Sequence, residues 1–157
     1  MSIQSETRPT RAESAGLTGV RQGFDLTYIV LSVLFGVAVV VQFYLAGYGA
    51  FAHHHGAHVV HHAFSAHEEL GNILGIWSVV LLVLALVARV SRRVVVAAFV
   101  VALLTEPVQH ALVQFGKDHR WVGGLHAFNG TLILVLAIWV AWMSWNRRSG
   151  SRARRSA

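Results

Sequence analysis

Four long stretches of this chain are almost free of charge, and the polar residues they contain gather toward one end of each stretch. The apolar runs cover residues 26–51, 69–88, 94–115 and 124–145. Each is about 20 residues or more, enough to cross roughly 30 Å of hydrocarbon. Within a bilayer every backbone polar group must be satisfied inside its own segment or by a neighbour, so such stretches have to be helices. The pattern predicts an all-α fold: a polytopic membrane protein built as an up-down bundle of four transmembrane helices, about 26–51, 67–88, 94–115 and 124–145. Residues 1–25 are polar and mixed in charge and read as a disordered tail. Residues 146–157 read as a basic tail.

Charge sets the expected orientation. Arg8, Arg11 and Arg21 precede the first run, Arg89, Arg92 and Arg93 lie between the second and third, and Arg147, Arg148, Arg152, Arg154 and Arg155 follow the fourth. Only Lys117 and Arg120 fall on the opposite side. The positive-inside rule therefore puts both termini in the cytoplasm and the 52–66 and 116–123 loops outside, with the plasma membrane as the expected location. Basic tails beside an anionic leaflet make lipid head groups the expected partners. Split among short tails, they form no platform for nucleic acid. Other membrane subunits are the remaining class of partner. The chain has no cysteine, which excludes disulfides and iron–sulfur ligation. Ala50-Phe51-Ala52 has the small-x-small spacing of a cleavage site, but the apolar run before it is too long for a signal peptide, so the segment reads as a retained helix.

In this topology Gln42, His67, Glu68, Glu69, Glu106, Gln109, His110, Gln114, His126 and Asn129 fall in the outer half or at its rim, and the inner half holds Val, Leu, Ile, Ala, Trp and little else. Ionisable residues at membrane depth are costly and mark functional positions. Glu106 lies nine residues from Phe115, about 13 Å below the outer end at 1.5 Å per residue. Pro107 beside it removes a backbone donor, frees the carbonyl of Leu103 and predicts a kink. Glu106, His110 and Gln114 follow at i, i+4 and i+8 as one stripe. Glu106, Gln109, Gln114 and Asn129 are the expected buried polar residues, with Gln42 or His110 as partners of the acid.

Segments two and four share a pattern. His67 is followed one turn later by Gly71 and then Gly75. His126 is followed by Asn129 and Gly130. The two segments run in the same direction, so the histidines stand at equal height and face the bundle interior. Two imidazoles suit the axial positions of a haem iron. On this reading a single b-type haem sits near the outer face on His67 and His126. Gly71, Gly75 and Gly130 make room for it, and Gln42 or His110 contacts its edge. Glycine-mediated helix packing explains the glycines equally well. The loop carries a second pattern: His54, His58 and His62 at i, i+4 and i+8 form a candidate metal site. Three functions stay open: a haem-binding membrane protein, a structural or accessory subunit without cofactor, and a metal-ion-handling protein. The residues do not decide whether the chain is an enzyme; neither a nucleophile–base constellation nor a phosphate loop is present.

The run Gln42-Phe-Tyr-Leu-Ala-Gly47-Tyr-Gly49, followed by His67-x-x-Leu-Gly71 and Leu125-His126-x-x-Asn129-Gly130, resembles a family of small uncharacterised four-helix bacterial membrane proteins over about residues 26–145. More remotely, the two helix-opening histidines resemble one four-helix half of haem A synthase. That resemblance implies haem-serving roles for His67 and His126. This chain lacks the second half of that fold and the cysteine pair of its first outer loop, and its Glu68 and Glu69 follow the histidine, where that family places its glutamate before it.

Overall fold

The computed structural model describes the backbone of residues 11–52 and 57–156, and the side chains of most residues between 23 and 149. Five α-helices follow one another: α1 (Arg11–Phe51), α2 (Ala57–Val87), α3 (Arg92–Leu103), α4 (Gln109–Gly116) and α5 (Arg120–Ser156). A π-helical turn, Leu104–Val108, joins α3 to α4 without a break, so the two make one third span. Among the described residues four stretches are long and apolar enough to cross a membrane: Gly23–Phe51, Val59–Val87, Arg92–Gly116 and Arg120–Ser149.

The helices outrun the apolar stretches. Residues 11–25, expected as a disordered tail, continue α1, and 146–156 continue α5. Both extensions carry Ala, Arg and Leu or Ser beside an already formed helix, and propagation is far cheaper than nucleation. The start of α2 likewise moves back from His67 to Ala57.

The bundle is a four-cornered up-down arrangement. α1 packs on α2 and α5, and the third span packs on α2 and α5. α2 and α5 therefore occupy opposite corners. The core is apolar and aromatic, with Tyr28, Phe35, Leu74, Leu81, Val94, Ile133 and Val140 buried and Phe35 set edge-on to Trp77 at 6.1 Å. The outside is equally apolar: Val37, Ile76, Val135, Ile138 and Trp142 are all exposed. A surface of this kind is stable against hydrocarbon and unstable against water. Together with the four spans it identifies a multi-pass membrane protein.

α2 ends in a Schellman motif. Arg89 takes φ 49°, its N–H donates to the Leu86 carbonyl at 3.1 Å, and the Val90 N–H donates to Ala85 at 3.2 Å. The accompanying apolar contact is between Val90 and Ala85, both buried. At the same end of the bundle Arg147 donates to Asp25 at 2.9 Å and ties α5 to α1. Both side chains are about a third exposed or more, so the pair contributes little beyond register.

The half of the bundle nearest the termini is less uniformly apolar than expected. Tyr28, Ser32, Ser78 and Ser144 are buried there, and Ser32 and Ser78 line a small, largely apolar cavity on the bundle axis with Phe35, Leu81, Ala98, Val101, Ala137 and Val140. Ser32 donates to the Tyr28 carbonyl and Ser78 to that of Gly75, so a helical serine hides among apolar side chains by bonding its own backbone.

Candidate functional site

His67 lies about a third of the way along α2 and His126 lies near the start of α5. From opposite corners the two rings meet across the bundle axis, with centroids 6.2 Å apart and planes at 67°. Each ring is held by a glutamine from the preceding span. The Gln42 amide donates to the His67 carbonyl at 2.7 Å and stands 3.5 Å from His67 Nε2. The Gln109 amide donates to the His126 carbonyl at 3.2 Å and stands 3.4 Å from His126 Nε2. The α1–α2 hairpin and the third span with α5 thus repeat one device: a glutamine in the rising helix grips a histidine in the descending one. Neither residue spacing nor apolar periodicity announces this pairing, because the partners are 25 and 17 residues apart.

The repeat is not identical in its details. His67 Nδ1 lies 3.2 Å from the Gln42 carbonyl, so this nitrogen carries the proton and Nε2 keeps its lone pair. His126 Nδ1 is buried without a hydrogen-bond partner, as is Gln42 Oε1. Phe64, one turn before His67, sits edge-on to its ring at 6.2 Å and lies over Gly49.

The π-turn explains why Gln109 rather than His110 points inward. Pro107 has no N–H, and the wide turn around it changes the helical phase by about a residue. Gln109 then reaches His126 and accepts a hydrogen bond from Asn129. The second Asn129 contact, at 3.0 Å, is with the carbonyl of Leu104, one residue on from the carbonyl that the proline was expected to free. Asn129 is buried, Gln109 is half-buried, and both answer to the expected polar layer. Gln114 does not: it is exposed and accepts from Lys117 at 2.9 Å. His110 is also displaced from its expected place at the pocket edge. It is exposed and donates through Nδ1 to the Glu106 carbonyl at 2.7 Å. With the phase changed by the π-turn, His110 and Gln114 lie on the outside of the third span, and half-buried Glu106 sits at its edge against Gly75 of α2.

The glycines are occupied by side chains. A Cβ on Gly71 would stand 3.1 Å from Gln42 Nε2, one on Gly130 would stand 3.3 Å from Phe43 Cζ, and one on Gly75 would collide with the Glu106 carboxyl. These three positions therefore admit the two polar groups and a ring to the helix surfaces, as small-residue interfaces do. Glu106 accordingly has its partners in Gly75 and His110 and is not hydrogen-bonded to Gln42.

Of the loop histidines, His54 lies outside the described residues, the side chain of His58 is likewise not described, and His62 is exposed. Among the described residues no group of three or more His, Asp or Glu side chains converges on a metal-sized site.

Residues 42–115 of the chain match the model of a family of unknown function (DUF6220). The match spans the first glutamine–histidine grip, Glu106 and Gln109, and stops before His126 and Asn129. No curated protein and no solved structure matches the chain. No similarity to haem A synthase is found among these comparisons.

Proposed function

We propose that this membrane protein holds a single cofactor on the His67–His126 pair, and that the cofactor is a b-type haem. The observation that carries the proposal is the meeting of two imidazoles across the axis, from diagonal helices, at 6.2 Å. Two imidazoles sharing one metal through bonds of about 2 Å have ring centroids roughly 6 Å apart. A ligating histidine commonly donates its other N–H to a carbonyl, which fixes the tautomer. His67 has that arrangement through Gln42. His126 Nδ1 and Gln42 Oε1 are buried polar atoms in the same layer that a bound group would engage. Haem supplies one-electron chemistry when bound. The chain's own part is to orient the two rings, keep water from them and, through the Gln42 carbonyl on His67 Nδ1, tune the basicity of His67 Nε2.

The fit sets one condition. Both amides stand beside the Nε2 atoms, and Gln42 and Phe43 cover Gly71 and Gly130. A macrocycle requires these side chains to turn aside and uncover the glycines. The same occupancy favours a second reading, in which the layer is a structural lock without cofactor. Rings 6.2 Å apart at a steep angle are also ordinary edge-to-face packing. Titration of purified protein with haemin separates the two. The proposal expects saturation at one haem per chain with a low-spin spectrum, and Gly71→Leu abolishing it. Absence of a saturable low-spin species establishes the structural lock.

We further place the histidine layer on the outer side of a bacterial plasma membrane, on the strength of the arginine distribution. A reporter fused after Ala157 is expected in the cytoplasm and one inserted at Gly56 outside. The opposite pattern inverts the site.

A further inference from the structure

Glu106 and His110 form a carboxyl–imidazole pair on the outer surface of the bundle, deep within a membrane span. The two side chains are 38% and 55% exposed, with His110 Nδ1 3.5 Å from Glu106 Oε2. Glu106 lies ten residues, and His110 six, from the end of the span at Gly116. At 1.5 Å per residue these are depths of about 15 and 9 Å. A short carboxyl side chain at the greater depth does not reach the interface by snorkelling. The Glu106 carboxyl is anchored against Gly75 on α2, and Leu103, Ile76 and Ile73 on the same two spans are exposed apolar neighbours in sequence. Polar groups turned toward hydrocarbon are expensive unless something pairs with them.

We propose that this pair is a lipid-side binding site for a hydrogen-carrying lipid of the quinol class. The Glu106 carboxyl offers an acceptor oxygen. His110 donates through Nδ1 to the Glu106 carbonyl, which leaves Nε2 as a second acceptor one helical turn away. A quinol offers two hydroxyl donors on a flat apolar ring and partitions into the bilayer with its tail. A second copy of this chain fits less well. In a two-fold dimer with its axis through this patch identical residues meet at equal depth, so Glu106 would face Glu106 and His110 would face His110. The proposal rests on Glu106 and His110 alone and stands or falls separately from a cofactor on His67 and His126.

The test uses the full chain in detergent or nanodiscs with a decyl-tailed 1,4-benzoquinol. The control probe is the dimethyl ether of the same quinol, which keeps the ring and tail but has no donor. Saturable binding of one quinol per chain is expected, with the ether at least about tenfold weaker, since its hydrogen bonds to Glu106 and His110 are lost. His110→Leu, at an exposed position, and Glu106→Leu are each expected to weaken the quinol to the level of the ether. Ile138→Ala, at an exposed position on α5, is expected to leave quinol affinity within about twofold. Equal affinity for quinol and ether overturns the proposal, as does His110→Leu with undiminished affinity. In a chain without cysteine, His110→Cys gives a clean crosslinking probe. Quantitative disulfide dimers of that variant in lipid would assign the surface to a second copy and overturn the proposal.

Discussion

Gly75→Ala is expected to lower the melting temperature of the detergent-solubilised protein, by an amount equivalent to about 1–3 kcal/mol. The added methyl occupies the place of the Glu106 carboxyl, whose Cδ would lie 2.8 Å from it. That carboxyl is the mobile end of its side chain, so the steric conflict alone is cheaply relieved. The loss comes from where the group must go: away from α2 and further into hydrocarbon. Combining Gly75→Ala with Glu106→Ala is therefore expected to recover most of the loss. A double variant as unstable as the sum of the two single variants would show that the two residues are not coupled.

Asn129→Ala is expected to destabilise by a comparable amount, about 1–3 kcal/mol, by a different route. The Asn129 amide supplies donors to two acceptors, the Leu104 carbonyl in the π-turn and Gln109 Oε1. Removing it leaves both without that donor in a buried layer, and an unmet buried acceptor costs more than the bond itself contributed. Asn129→Asp is expected to be at least as harmful at neutral pH, because an ionised carboxylate offers no donor and adds charge beside two oxygens. The check is the melting temperature of each variant beside Asn129→Gln. A native value in Asn129→Ala would mean that Asn129 does not hold the π-turn against α5.

Much of the architecture is legible in residue order because membrane physics is severe. Four nearly uncharged runs admit only helices, and two segments running the same way put His67 and His126 at one height. Their meeting across the axis follows from the diagonal placement of α2 and α5. Legibility ends where a local irregularity changes phase. Pro107 signals a disturbance, but not that the chain would absorb it in a π-turn that brings Gln109 inward and leaves His110 and Gln114 outside. The glycines were ambiguous for a different reason. A missing side chain shows that something approaches closely, and only coordinates show that Gln42, Glu106 and Phe43 do so. Buried Ser32 and Ser78 escape notice because each satisfies itself on its own helix, so no partner in the sequence betrays them. The ends of α1 and α5 were underestimated because hydropathy marks the membrane, whereas a helix continues until its backbone is stopped.

The central claim is that His67 and His126 share one bound cofactor. The most direct measurement is the dithionite-reduced absorption spectrum of the full-length protein purified from haem-sufficient cells, beside His67→Ala and His126→Ala. The account predicts a low-spin b-type spectrum in the native chain, its loss in both variants, and its persistence in His62→Ala. A well-folded native protein that is colourless and takes up no added haemin would contradict it.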